Sequence, residues 1–550
     1  MKSLLYLQLL LVSVASAGFR FQGTELGPID PETEHLSKRS EPFNGWGTFD
    51  QLLDHAHPDL GTFKQRYWYG TEFWKGPGSP IIVTTPGEQS AEDFNTTYLG
   101  TKRLSGVFAK ELGGAVIVLE HRYWGESSPF DTLSVKNLQH LTLNNSIKDL
   151  SYFAKNLVLP FDPSGGSSPA EAPWIFSGCS YAGGLASWSS VLDPGTYWAY
   201  HASSAVVQSI EDFWTYFVPV MEATPQNCSA DLQAVITHVD ETLLNGSPKV
   251  KADLKAKFKL EDLTDADFAG ALEWGTWTWQ KAQFHTIKSQ GSSPYHQFCD
   301  YVENMYLREK NSYVRKVPGP EGVGLQKALD GYAQWMTNIL LPSFCESYRY
   351  PEFQGSMNTL CLQQQNRSNP LFTDLAVNNT GNRQWNWMLC NQPFEWWQTG
   401  SPPDLPTLVS RYVNVDYWRS QCEYWFPLEA DFNSSYTYSL ARGKDATDVN
   451  AFTGGWLATN STRIMHVNGE LDPWRGATLS AIDRPGGPAK SQGGRVVKLL
   501  KGGTHCSDTY GQNWEVSEGA RRLKDEEVAI MKMWVGQFYA ERGKEWKGGF

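Results

Sequence analysis

The segment that most restricts the fold is Trp174-Ile175-Phe176-Ser177-Gly178-Cys179-Ser180-Tyr181-Ala182-Gly183-Gly184. An apolar, strand-like run breaks there on small residues, and Leu185-Ala186-Ser187-Trp188 leaves with helical character. A serine on a sharp strand-to-helix turn is held in a strained backbone conformation and needs small neighbours. Its oxygen then stands beside the next helix N-terminus, whose unbonded N–H groups can hold an oxyanion. The pattern is close to G-x-S-x-G, with Ala182 in the last glycine position and Gly183 after it. The extra methyl is tolerated where φ is negative.

Around this turn the chain alternates. Pro80-Ile81-Ile82-Val83-Thr84-Thr85, closed by Pro86-Gly87, and Ala115-Val116-Ile117-Val118-Leu119-Glu120 read as buried strands. Residues 135–157 have helix-compatible spacing before the third strand. Strands alternating with helices predict βαβ units on a parallel sheet. From about residue 206 the texture changes: residues 231–244 and 249–260 are helical in pattern, and tryptophans crowd residues 385–397. Strand-like runs return at Arg463-Ile464-Met465-His466-Val467 and Arg495-Val496-Val497-Lys498-Leu499-Leu500, and an amphipathic helix covers 525–541. The predicted organisation is an α/β sheet domain in two parts, 40–205 and 441–550, around a helical cap insertion, 206–440.

A serine on such a turn is inert without a base, and hydrolases of this kind order the triad serine, acid, histidine. The strand at 464–467 empties into Asn468-Gly469-Glu470-Leu471-Asp472-Pro473-Trp474. The next one empties into Gly502-Gly503-Thr504-His505-Cys506-Ser507-Asp508. An acid and a histidine thus lie beyond the C-terminal ends of strands, where open α/β sheets place their sites. In this reading His505 accepts the proton of Ser180, and Asp472 fixes the ring tautomer; Glu470 is the rival acid. The oxyanion donors are the N–H of Tyr181 and one from the loop at Gly87-Glu88.

The N-terminus carries Lys2, an apolar stretch over 4–14 and Ala15-Ser16-Ala17, a signal peptide over 1–17. Residues 18–39 end on the dibasic pair Lys38-Arg39 and read equally as a pro-segment or a plain polar leader. In a secreted chain the eight cysteines imply disulfides. Cys228, Cys299, Cys345, Cys361, Cys390 and Cys422 predict three bridges in the cap with pairing open. Cys179 and Cys506 read as unpaired, because a bridge demands a narrow Cα separation and angle. Sequons at Asn95, Asn144, Asn227, Asn245, Asn366, Asn378, Asn433 and Asn460 fit a secreted glycoprotein. A net charge of −12 argues against nucleic acid as partner. No later apolar run is long enough to span a membrane. No metal-ligand spacing occurs, and the chemistry needs no cofactor.

The segment Glu120-His121-Arg122-Tyr123-Trp124-Gly125-Glu126-Ser127, the serine turn, residues 468–474 and residues 502–508 together resemble the S28 family of serine peptidases. This is the lysosomal Pro-X carboxypeptidase and dipeptidyl peptidase family. Phe49-Asp50-Gln51-Leu52-Leu53-Asp54-His55 and Thr62-Phe63-Lys64-Gln65-Arg66-Tyr67 fit the same pattern. The likeness runs from about residue 45 to the C-terminus and is nearest the fungal secreted branch, with its acid proline-specific endopeptidases. It implies Ser180 as nucleophile, Asp472 as acid, His505 as base, and an α/β-hydrolase fold with a helical cap. Cys179 stands where the family commonly has Gly, and Gln392 where many relatives carry Glu.

The expectation is a secreted, glycosylated serine peptidase that cleaves after proline in peptides or proteins through an acyl-enzyme, as a carboxypeptidase or an endopeptidase. The Gln392 exchange weighs against a dipeptidyl peptidase. An esterase or lipase of the same fold, and a non-catalytic surface glycoprotein, are the alternatives. A proline socket needs flat apolar rings, with Trp474 first and Trp385 and Trp387 next. Arg122, directly after a buried strand, reads as a structural ion-pair partner.

Overall fold

The computed structural model describes residues 44–288, 293–305, 317–427, 436–458, 460–546 and 548. The expected signal peptide over 1–17, residues 18–39 and the sequon at Asn433 lie outside them. The strands are β1 (Asn44–Leu52), β2 (Thr62–Gly70), β3 (Ile81–Thr84), β4 (Ala115–Leu119), β5 (Trp174–Cys179), β6 (Ala199–Ser203), β7 (Ile210–Asp212), β8 (Glu395–Trp397), β9 (Ile464–Gly469) and β10 (Arg495–Leu500). Eight of them form one sheet in the order β1-β2-β4-β3-β5-β6-β9-β10. The β1–β2 and β2–β4 pairs are antiparallel, and every later neighbour is parallel.

Strand periodicity divides the core. Ile81, Val83, Ile117, Leu119, Trp174 and Phe176 point to one face, packed with α2 (Leu143–Asn156), α3 (Tyr181–Leu192) and the cap. Ile82, Val116, Val118, Ile175, Met465 and Val467 point to the other, under α1 (Leu104–Leu112) and α11 (Glu518–Glu541). Helices thus cover both faces of a mostly parallel sheet, as such a sheet requires. This is an α/β-hydrolase fold.

Several helix boundaries differ from the sequence reading, among them the start of the helix read at 231–244, which begins at Gln226, and the end of that read at 249–260, which stops at Lys257. Residues 135–157 are interrupted because Thr142 caps α2, its side chain accepting from the N–H of Asn145. The last helix begins at Glu518, where Ser517 accepts from the N–H of Ala520.

The cap rises between β6 and β9. It contains α4 (Gln226–Asn245), α5 (Pro248–Lys257), α6 (Asp265–Trp277), α7 (Pro294–Val302), α8 (Leu325–Trp335), α9 (Arg383–Asn391), α10 (Val415–Trp425) and the parallel pair β7–β8. Cys228–Cys299 joins α4 to α7, Cys390–Cys422 joins α9 to α10, and Cys345–Cys361 closes a short loop. By loop-closure entropy each bridge contributes roughly 3–4.5 kcal/mol. Among the described residues, no helix is long and apolar enough to cross a membrane.

Candidate active site

Ser180 leaves the end of β5 with φ 59° and ψ −126°, and Tyr181 opens α3. Ser180 is 1% exposed. Its N–H donates to the Ser203 carbonyl at 3.0 Å, and its own carbonyl accepts from the N–H of Gly184 at 2.8 Å. The turn needs its glycines. A Cβ on Gly178 would lie 2.1 Å from the Ala182 carbonyl oxygen, and one on Gly183 would lie 2.5 Å from that of Ser203. Ala182 is not among the positive-φ residues, so its methyl is accommodated.

The two other loops arrive from β9 and β10. Asp472 is fully buried, and its Oδ1 lies 2.9 Å from His505 Nδ1 and accepts the Trp474 N–H at 2.9 Å. A carboxylate can only accept, so Nδ1 carries the hydrogen and the Nε2 lone pair is left to take a proton. Nε2 is buried and has no hydrogen-bond partner among the described residues. Glu470 does something else. Its Oε2 accepts the N–H of Gly502 at 2.8 Å and holds the start of the histidine loop.

Cys179 and Cys506 form a disulfide, with Cα atoms 6.0 Å apart, which corrects the expectation that both are unpaired. The Ser180 turn and the His505 loop stand close enough to satisfy the separation a bridge demands. One residue before the serine is therefore bonded to one residue after the histidine. A His505 nitrogen lies within 4.8 Å of both sulfurs. The Cys506 N–H donates to Ser204 Oγ at 2.9 Å.

The loop after β3 meets the same corner. Gly87, with φ 75°, is close enough that a Cβ would touch the Tyr181 ring at 3.5 Å and the Ala182 nitrogen at 3.7 Å. Its N–H is engaged by Thr85 Oγ1 at 3.2 Å. The Glu88 carbonyl accepts from Asn382 Nδ2 of the cap at 3.3 Å.

The segment from Glu120 to Ser127 supports this corner from below. Glu120 forms a two-point ion pair with Arg66 and accepts the N–H of Ala91 at 3.0 Å, which fixes the far end of that loop. Burial pushes His121 down to about 4, so it is neutral. Its Nδ1 donates to the Arg122 carbonyl, and Nε2 accepts from the Tyr181 hydroxyl at 3.2 Å. Arg122 pairs with Asp149 at 2.5 and 2.6 Å and donates to the carbonyls of Leu52, Leu53 and His140, a structural anchor as expected.

The three candidate socket tryptophans are no more than 1% exposed, as buried as Ser180 itself. In place of the expected open stacking surface for proline, their rings pack on neighbouring side chains. Trp474 lies against Phe213, Tyr216 and Trp396, with His505 at 6.4 Å, and its Nε1 donates to Gln280. Trp385 backs Tyr181 edge-on at 5.2 Å. Trp387 joins the cap to the sheet domain, bonded to the Leu141 carbonyl and packed on Phe426. Gln392 accepts the N–H of Leu143 at the start of α2.

Sequence reasoning missed the cap segment at residues 279–283. Trp279 Nε1 donates to the Leu471 carbonyl, and Gln280 Oε1 accepts from Tyr216 and Trp474. Gln283 Nε2 donates to the His505 carbonyl at 2.7 Å. Its Oε1 accepts from Ser507 and Asn513. Two glutamines in an aromatic stretch carry no local signal of this; their burial among polar partners arises only on folding.

A family model described as serine carboxypeptidase S28 matches residues 51–525. The chain belongs to the serine carboxypeptidase S28 family. It is a serine-type peptidase. "Serine protease vicPb" of Bipolaris victoriae (strain FI3) is 41% identical over 511 residues, covering 92% of each chain. "Serine protease vicPa" of the same fungus is 42% identical over 510 residues with the same coverage. The "Probable extracellular serine carboxypeptidase" of Arthroderma benhamiae (strain ATCC MYA-4681 / CBS 112371) is 29% identical over 496 residues, covering 86% of this chain and 64% of that one.

Of the sequons, Asn144, Asn245, Asn378 and Asn460 are exposed and Asn95, Asn227 and Asn366 half-buried. The Asn227 amide is bonded to Glu303.

Proposed function

We propose that the peptidase works through Ser180 as nucleophile, His505 as general base and Asp472 as the group that orients the imidazole and stabilises its charged form. The observation that carries this reading is the short contact between His505 Nδ1 and Asp472 Oδ1, on a loop bonded to the residue before Ser180. Ser180 attacks the scissile carbonyl as its proton passes to His505 Nε2; the imidazolium then protonates the leaving amine, and water resolves the acyl-enzyme. The Tyr181 N–H, the first of α3 and so without an intrahelical acceptor, and the Glu88 N–H hold the oxyanion. Gly87 allows the close approach.

Cleavage after proline is proposed from the family resemblance. Trp474 and Trp385 serve it as rigid backing to the site rather than as the contact surface. The folded cap favours short or unstructured peptides, and the chain acts outside the cell as a glycoprotein, with the signal peptide over 1–17 removed and residues 18–39 either a pro-segment cut at the dibasic pair or a polar leader. A fluorophosphonate probe should label the protein, and Ser180→Ala should abolish the label; persistent labelling would end the assignment. Mass spectrometry of products from one long proline-containing peptide separates carboxypeptidase from endopeptidase action. Turnover of p-nitrophenyl esters with no cleavage of that peptide would make it an esterase.

A further inference from the structure

Beneath the histidine loop three ionisable side chains meet in the buried interior. His201 on β6, Asp508 beyond His505 and Glu527 on α11 are 0%, 2% and 0% exposed. His201 Nε2 faces Asp508 Oδ2 at 3.3 Å and Glu527 Oε1 at 3.6 Å. Those atoms and Glu527 Oε2 have no hydrogen-bond partner among the described residues, so the three groups have chiefly one another.

Their outer atoms are tied to the site. His201 Nδ1 lies 3.1 Å from Ser177 Oγ on β5, and Ser203 Oγ donates to Asp508 Oδ1 at 2.6 Å. The Ser203 carbonyl accepts the N–H of Ser180. Trp514 Nε1 donates to the Asp508 carbonyl at 2.9 Å. The cluster therefore joins the serine turn, the histidine loop and α11.

Charge counting shows which state suits such a place. Imidazolium with two carboxylates leaves one net negative charge in a low-dielectric core; one further proton makes the cluster neutral, and loss of the imidazolium proton leaves two negative charges. The other charged and titratable neighbours cannot balance it. His466 is pushed down to about 3 by burial, with Arg495 beside it, and stays neutral; Glu526 pairs at the surface with Lys498 at 2.8 Å. The Phe108 ring adds only its edge to His201, at 5.7 Å.

We propose that His201, Asp508 and Glu527 are positioning residues whose two-proton, neutral state clamps the histidine loop and α11 to the serine turn, and that rising pH loosens this clamp. Burial first, then the negative charge of Asp508, outweighs His201 and pushes Glu527 up to about 7. Burial alone would lower His201, but the two carboxylates facing it push it up to about 9. Both groups bind their protons more tightly folded than unfolded. The Glu527 contribution is complete below its ordinary range and lost as pH rises through about 7; that of His201 is lost through about 9.

Only the activity readout rests on the proposed triad, so melting of the full-length protein is measured first. Across pH 5–8 the Tm should fall, and Glu527→Gln, neutral at every pH, should flatten that fall and melt above the wild type at pH 7.5. Each proton held only by the folded state changes the unfolding constant roughly tenfold per pH unit. Parallel Tm curves for the two proteins would overturn the proposal. If the variant does not fold, hydrogen exchange of residues 503–510 in the wild type decides: protection, corrected for intrinsic rates, must drop between pH 5 and 7.5. A divalent cation would also fit three ligand atoms within 4.8 Å of one another. A stoichiometric ion whose removal by EDTA lowers the Tm would replace proton sharing with metal binding. With a prolyl peptide substrate, Glu527→Gln should move the alkaline limb of kcat/KM upward without moving the acid limb.

Discussion

Asp472 and Glu470 stand two positions apart, and one hydrogen bond each separates their roles: Asp472 holds the imidazole, Glu470 the Gly502 amide. Asp472→Asn should leave the fold intact and lower kcat about 10⁴-fold, because an amide that donates favours the wrong tautomer. Glu470→Gln should cost about 1 kcal/mol in chemical denaturation and change kcat only a few-fold. Near-normal turnover in the first variant and collapse in the second would reverse the assignment. The glycines are as exacting. Gly183→Ala places a methyl against the Ser203 carbonyl and should destabilise the protein by roughly 1–3 kcal/mol, read as a lower denaturation midpoint. Ser180, Asp472 and His505 could be singled out in the sequence because each lies on the turn or loop that leaves a predicted strand, so chain order fixes its place at the sheet rim.

At the scale of elements, the site is an agreement among β5, β9, β10 and one cap segment. The Cys179–Cys506 bond spans 327 residues of sequence yet joins the immediate neighbours of Ser180 and His505. Ser180 and Cys506 both hold positive φ, strain that surrounding contacts must maintain. Replacing both cysteines by serine should leave the three cap bridges and the fold in place but lower kcat by about 10- to 100-fold with a smaller change in KM. Steady-state kinetics of the purified double variant checks this; unchanged kcat would reduce the bond to a stability device. Gln283→Leu removes the amide partners of the His505 carbonyl, Ser507 and Asn513, and should lower both Tm and kcat.

Across the whole molecule, buried carboxyl groups fall into two classes. In Asp149 burial is outweighed by the Arg122 charge and by hydrogen bonds, which hold the carboxyl low, so its contribution is already complete above the ordinary carboxylate range. Others are raised and lose theirs as pH climbs. Burial pushes Asp267 up to about 6, and burial with the charge of Asp231 pushes Glu303 up to about 7. Each binds its proton more tightly folded, so its contribution is present below the ordinary carboxylate range and fades as pH climbs through the raised value. The net charge of −12 adds self-repulsion in the same direction. Denaturant midpoints should therefore decline from pH 5 to pH 8, and Glu303→Gln should remove part of the decline. A midpoint that rises over this interval would contradict the burial of these groups.

Local periodicity was enough to announce five of the parallel strands and their loops, but not β6, whose residues Ala199-Tyr200-His201-Ala202-Ser203 carry no apolar run and become a strand only between β5 and β9. Cysteine count and the expectation of a secretory leader were enough to say that the cap cysteines pair, though not with whom. The β1–β2 hairpin was not legible in this way: residues Asn44–Leu52 are rich in glycine and polar side chains and become a strand only against Thr62–Gly70. Nor were the bond between Cys179 and Cys506, the glutamines over His505, or the meeting of His201, Asp508 and Glu527. Those depend on distances between segments hundreds of residues apart, and burial, which sets their protonation, exists only once the layers have closed.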